Sequence, residues 1–86
     1  MTQEMIEKFI EAKNRSNNPV NIHFKERSTI TGIFIKANDY DELKSKNFWR
    51  IINKNAVAEW EQTRDVNLAR LYNGLSFTKL SDNNNS

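Results

Sequence analysis

Tyr40 and Lys44 stand four positions apart in the run Asn38-Asp39-Tyr40-Asp41-Glu42-Leu43-Lys44, and Ser45 follows directly. On a helix that spacing brings both side chains to one face. A tyrosine works as a general acid or base only if its pKa, ordinarily about 10, falls toward neutrality. An ammonium group one turn away pushes it that way. The pair is therefore equipped, by residue type, for proton transfer beside a hydride-carrying nicotinamide.

That reaction also needs a place for the dinucleotide, normally a Gly-rich turn between a strand and a helix. The chain has two glycines, Gly32 and Gly74, and no G-x-G-x-x-G. One βαβ unit already takes ~30 residues, and 86 residues leave no room for a parallel sheet with covering helices. Asp39, Asp41 and Glu42 surround the pair; their charge opposes ionisation of the phenol and engages the lysine in local ion pairs. The spacing is thus expected to be accidental, the protein not an enzyme, and no cofactor or small-molecule substrate is implied.

Other chemistry is weighed in the same way. Asp39, Asp41 and Glu42 offer hard oxygen ligands, but the glycine and the distant glutamate of a calcium loop are missing. A solvated loop is expected, with Asp39 capping a helical turn over Tyr40 to Lys44. With no cysteine there is no thiolate, no disulfide and no zinc site of the usual kind. His23, the only histidine, falls on the polar side of a strand. No metal is expected.

The run Phe48-Trp49-Arg50-Ile51-Ile52-Asn53-Lys54 interleaves rings with cations, as platforms for single-stranded nucleic acid do. Lys25, Arg27, Arg50 and Lys54 are the candidate nucleic-acid contacts. Two strand registers are open. One turns Phe48, Arg50 and Ile52 inward; the other buries Trp49 and Ile51. Either leaves one large ring near the surface, so Phe48 and Trp49 are the candidate interface residues. Trp60, Tyr72 and Phe77 are read as core members first.

Net charge is +2, from thirteen Lys or Arg against eleven Asp or Glu, and the basic residues are spread along the chain. A dedicated nucleic-acid binder usually segregates a larger excess. No run approaches the ~18 apolar residues that cross a bilayer, and no leader opens the chain. A cytoplasmic protein with no membrane contact is expected.

The elements that must position these residues follow from periodicity. Thr2 can cap a helix whose apolar residues are Met5, Ile6, Phe9 and Ile10. The run from Asn14 to Pro19 is a turn. Val20, Ile22 and Phe24 then alternate with polar residues as a strand. Thr29 to Ala37 is nearly all apolar, as a strand serving two packing surfaces is. Gly32, at its centre, permits a bend or bulge. Asn47 to Asn53 reads as a third strand and Ala56 to Trp60 as a fourth. A helical turn runs from Asp65 to Tyr72 and ends at Asn73-Gly74. Leu75 to Leu80 is a last strand. Residues 1–80 form one domain and 81–86 a disordered polar tail. The expected core is Met5, Ile6, Phe9, Val20, Ile22, Phe24, Ile30, Phe34, Ile52, Val57, Leu68 and Phe77.

This order is a helix, a strand running through "ITGIFIKAND", and a helical turn before the last strand. It resembles the Sm-like barrel. The resemblance implies a small, bent, mainly antiparallel β-barrel (α+β) with its N-terminal helix across one opening, and RNA as a partner. The acidic residue stands one place late at Asp39, the loop through "DELKSK" is long, and "LYNGL" lacks a basic residue before Gly74. The chain also resembles a family of short, uncharacterised bacterial proteins, some labelled short-chain dehydrogenase, with "YDELK" the carrier of that label. Three functions are in play. The first is a non-catalytic module binding a protein, or itself, through a sheet edge or an exposed aromatic. The second is an Sm-like RNA binder, and the third an oxidoreductase using Tyr40 and Lys44.

Overall fold

A computed structural model describes residues 1–12 and 19–82. Helix α1 (Gln3–Glu11) starts where the Thr2 hydroxyl accepts a hydrogen bond from the Met5 N–H, satisfying one of the free donors of the first turn. It buries Ile6 and Ile10. Met5, expected in the core, is 55% exposed. Neighbouring residues on a helix point about 100° apart, so seating Ile6 turns Met5 outward. The expected turn at Asn14–Asn18 lies outside the described residues.

Five strands, β1 (Val20–Phe24), β2 (Ile30–Phe34), β3 (Phe48–Asn53), β4 (Arg70–Asn73) and β5 (Phe77–Asp82), form one antiparallel sheet in the order β4-β3-β2-β1-β5. The sheet is not closed into a barrel, because its two edge strands, β4 and β5, have one ladder partner each. They nevertheless adjoin at one corner. A 3₁₀ turn (Gly74–Ser76) carries the chain from one edge to the other, and the Lys25 N–H donates to the Ser76 carbonyl at 3.1 Å. The Tyr72 ring of β4 comes within 5.7 Å of the Phe24 ring of β1. The sheet is curled but open.

Sheet curvature has left Gly32 in register on both sides, opposite Val20 and opposite Asn53. The bulge falls instead between His23 and Phe24, where β1 meets β5. Ser81 and Asp82 pair with Asn21 and Val20, so the last strand runs two residues into the expected tail; residues 83–86 lie outside the described set.

Two segments differ from expectation. Residues 54–56 form a 3₁₀ turn leading into helix α3 (Val57–Thr63), where a strand was expected. The expected Asp65-capped helical turn forms only over Val66–Leu68, where Asp65 accepts from the Asn67 N–H, and the fourth strand, Arg70–Asn73, takes the rest of the segment. One cause explains the first. β2 is apolar on both faces: Phe34 joins the inner core with Trp49, Ile51 and Phe77, while Ile33 and Ile35 join Ile52 on the outer face. The outer cluster needs a cover, and α3 supplies it with Val57 and Trp60. The inner core is covered by α1 and by a short helix α2 (Tyr40–Ser45) between β2 and β3. No helix among the described residues is long and apolar enough to cross a membrane.

Candidate functional site

Tyr40 and Lys44 do share a face of α2, with the Lys44 ammonium 5.3 Å from the Tyr40 ring centre. What they meet there is α1. The Tyr40 hydroxyl donates to Glu11 Oε2 at 3.2 Å, and Lys44 Nζ donates to Glu7 Oε2 at 2.8 Å. Burial of the phenol, then the negative charge of Glu11, Glu7 and Asp41, pushes the Tyr40 pKa well above its ordinary value. Acid–base work at neutral pH requires the opposite shift. Lys44 is raised as well, chiefly by its hydrogen bond to Glu7. The geometry ties two helices together over the Trp49 ring, 6.2 Å from that of Tyr40.

The acidic residues around this pair are drawn apart. Asp39 stands at the N-terminus of α2 but makes no side-chain cap. Both its oxygens accept from Arg50, at 3.2 Å from Nε and 2.6 Å from the terminal nitrogen. Asp41 lies 3.8 Å from Lys44 and Glu42 lies 3.7 Å from Lys46. His23 Nδ1 is hydrogen-bonded to the Thr29 hydroxyl at 3.1 Å.

Arg50 holds Asp39 below the ordinary carboxylate value of 3.8, mainly through the hydrogen bond. A depressed folded-state pKa means that the bond's contribution is complete above the ordinary value. It disappears as pH falls through the folded one. Stability of the wild type should therefore drop more steeply below about pH 4 than that of Asp39→Asn. Urea denaturation between pH 5 and pH 2.5 reads this directly; parallel curves for the two proteins would contradict it.

The four basic residues expected to contact nucleic acid stand on different segments of the chain. Arg50 is on the outer face of β3 and committed to Asp39. Lys54 begins the turn after β3. Lys25 is exposed beside the 3₁₀ turn. Arg27 lies over the Phe24 and Tyr72 rings, its guanidinium carbon 5.2 and 5.7 Å from their centres.

Of the two candidate interface rings, Trp49 is corrected to core: it is 2% exposed and its indole N–H donates to Asn47 Oδ1 at 2.8 Å. Phe48 is 36% exposed. Opposite β3, Leu71 of β4 is 50% exposed. Register pairs Phe48 with Asn73 and Arg50 with Leu71, so Phe48 and Leu71 are diagonal neighbours on the outer face. They form an apolar step at the edge of the sheet.

Beside the start of the same strand, Arg70 and Tyr72 line a cavity of about 440 Å³ with Arg27, Asn53 and Asn55. Arg70 escaped sequence reading because residues 65–72 read as helical. A period of two over residues 70–73 would have placed it beside Tyr72. Comparison with protein-family models, with curated proteins and with solved structures finds no match.

Proposed function

We propose that this protein is a non-catalytic interaction module that binds a partner protein, or a second copy of itself, along the β4 edge of its open sheet. The observation that carries the reading is Leu71, half exposed on an edge strand next to exposed Phe48. An edge strand presents unpaired N–H and C=O groups to any incoming strand. An apolar step beside it gives that strand a side-chain anchor, the usual logic of strand addition. Each edge carries one exposed charge, Arg70 on β4 and Lys79 on β5, and β4 has in addition the exposed apolar Leu71. Two further facts support the reading. The Tyr40 phenol is shifted away from the range useful for proton transfer, and Arg50, two residues along β3 from the exposed ring, is already paired.

A photo-crosslinking amino acid at position 48, with a control at Glu61 on α3, tests the proposal in living cells. A discrete protein adduct should form at position 48 and not at the control. A band at twice the monomer mass would identify the partner as a second copy. Leu71→Asp should cut the adduct at least tenfold, as loss of a contact worth more than about 1.4 kcal/mol does. Adducts to RNA alone, or none, would contradict the proposal.

A further inference from the structure

The cavity beside the start of β4 carries an inference separate from the edge. Its volume, about 440 Å³, is within the range of about 300–1,000 Å³ in which small ligands are held. Its charged groups are two arginines, Arg27 and Arg70, against one carboxylate, Glu59. Arg27 lies over two aromatic rings, a contact that leaves its N–H groups available for hydrogen bonds. Among the described residues, neither Arg27 nor Arg70 forms an ion pair. Asn53 uses its Oδ1 to accept from the Asn55 N–H at 3.0 Å, so what it has left to offer is its amide N–H₂. Half-buried Ile30 and Leu68 give the cavity an apolar side.

Two guanidinium groups without an ion pair, beside an apolar side, suit an anion on an apolar body. Glu59 sets the size of that charge. It stands on the wall and opposes a second negative group. A single carboxylate satisfies the arginines; a run of phosphates meets Glu59. We propose that this cavity recognises a carboxylate carried on an apolar body, with Arg27 and Arg70 holding the oxygens and Ile30 and Leu68 receiving the body. Two sources have this chemistry: the C-terminal residue of a peptide and a free organic acid.

The Nε–Hε signals of Arg27 and Arg70 in ¹⁵N-labelled protein report occupancy directly. Three probes separate the outcomes: a short peptide ending in leucine with a free carboxylate, the same peptide amidated, and 4-phenylbutyrate. Saturable shifts of both signals are expected with the two acids. Affinity should be at least tenfold weaker for the amide and for Arg70→Gln. Arg27→Lys, which keeps the charge and loses the planar fork, should weaken binding too. Tighter binding of the peptide acid assigns the site to a chain terminus; tighter binding of phenylbutyrate assigns it to a free acid. Signals unmoved by either acid in the folded wild type would overturn the proposal. So would equal binding of acid and amide, or tighter binding of oligouridine at the same signals. Because Leu71 points to the other face of β4, the crosslink at position 48 can fail while this cavity fills, and the reverse.

Discussion

Trp49→Ala is expected to lower stability by about 3–5 kcal/mol, the range for removing a large buried ring. A domain of this length has only about 4–13 kcal/mol in all, so the variant should be near the edge of unfolding. The reason is position. Trp49 lies between Phe34, 6.0 Å away, and Tyr40, 6.2 Å away, and thus joins β2, β3 and α2 in one contact. Its indole N–H also engages Asn47, a residue with φ of 62°. Asn47 in turn accepts from the Gly74 N–H through its own carbonyl at 2.8 Å, tying the loop before β3 to the corner where the sheet edges meet. With a urea m-value of about 1–2 kcal/mol per molar, the midpoint should fall by about 2 M or more. Trp49→Phe should cost less, about 1–3 kcal/mol, since it removes the donor and leaves an aromatic ring. A midpoint for Trp49→Ala within about 0.5 M of wild type would contradict the burial of this ring.

Gly32→Val should abolish folding, or cost at least as much as Trp49→Ala. Gly32 does not have a positive φ, so torsion is not at issue; contact is. A Cβ at this position would collide with the Ile52 carbonyl oxygen, a backbone atom, and would come within 2.9 Å of Ile51 Cγ2. The strand cannot shift to relieve this, because β2 is paired on both sides at that residue. Even Gly32→Ala should cost about 2–3 kcal/mol, the upper part of the range for overpacking. Circular dichroism of Gly32→Val and urea denaturation of Gly32→Ala test the two steps. A stable Gly32→Val protein would mean that β2 and β3 are not paired in this register.

Most of the fold that depends on local pattern is legible in the chain. The one-and-four spacing of Ile6 and Ile10 marks α1, and alternation of Val20 and Ile22 marks β1. The double-faced run through Ile33, Phe34 and Ile35 marks β2 as a strand with two cores. Residues 56–60 mislead because Val57 and Trp60 fit a helix face, while the shorter Ala56-Val57-Ala58 run also fits a strand. The outer cluster of Ile33, Ile35 and Ile52 decides between them, and that is a tertiary fact. Residues 70–73 form a strand because Tyr72 and Arg70 pair with Trp49 and Ile51, some twenty residues earlier; strand preference of this kind is set by neighbours rather than by the segment itself.

The site followed the same division. The alternatives for Phe48 and Trp49 were visible, and only the sheet chose between them. Arg27 was visible as a cation, but its seat on Phe24 and Tyr72 joins residues far apart in the chain. The partnership of Arg50 with Asp39 likewise links β3 to the start of α2. Tyr40 and Lys44 carried a recognisable spacing, and their surroundings reverse its meaning. Glu7 and Glu11, which meet them, come from a helix about thirty residues upstream.

The non-catalytic part of the proposal rests on that reversal, and the Tyr40 phenol reports it. A raised folded-state pKa means that the contribution of Tyr40 to stability is fully present below pH 10 and is lost as pH rises through the folded value. In protein labelled with ¹³C at the tyrosine ring carbon bearing oxygen, the Tyr40 signal, assigned by comparison with Tyr40→Phe, should stay at its neutral-phenol position from pH 6 to about pH 10. A titration midpoint between about pH 6 and pH 8 would make the pair a working acid–base couple and contradict the account.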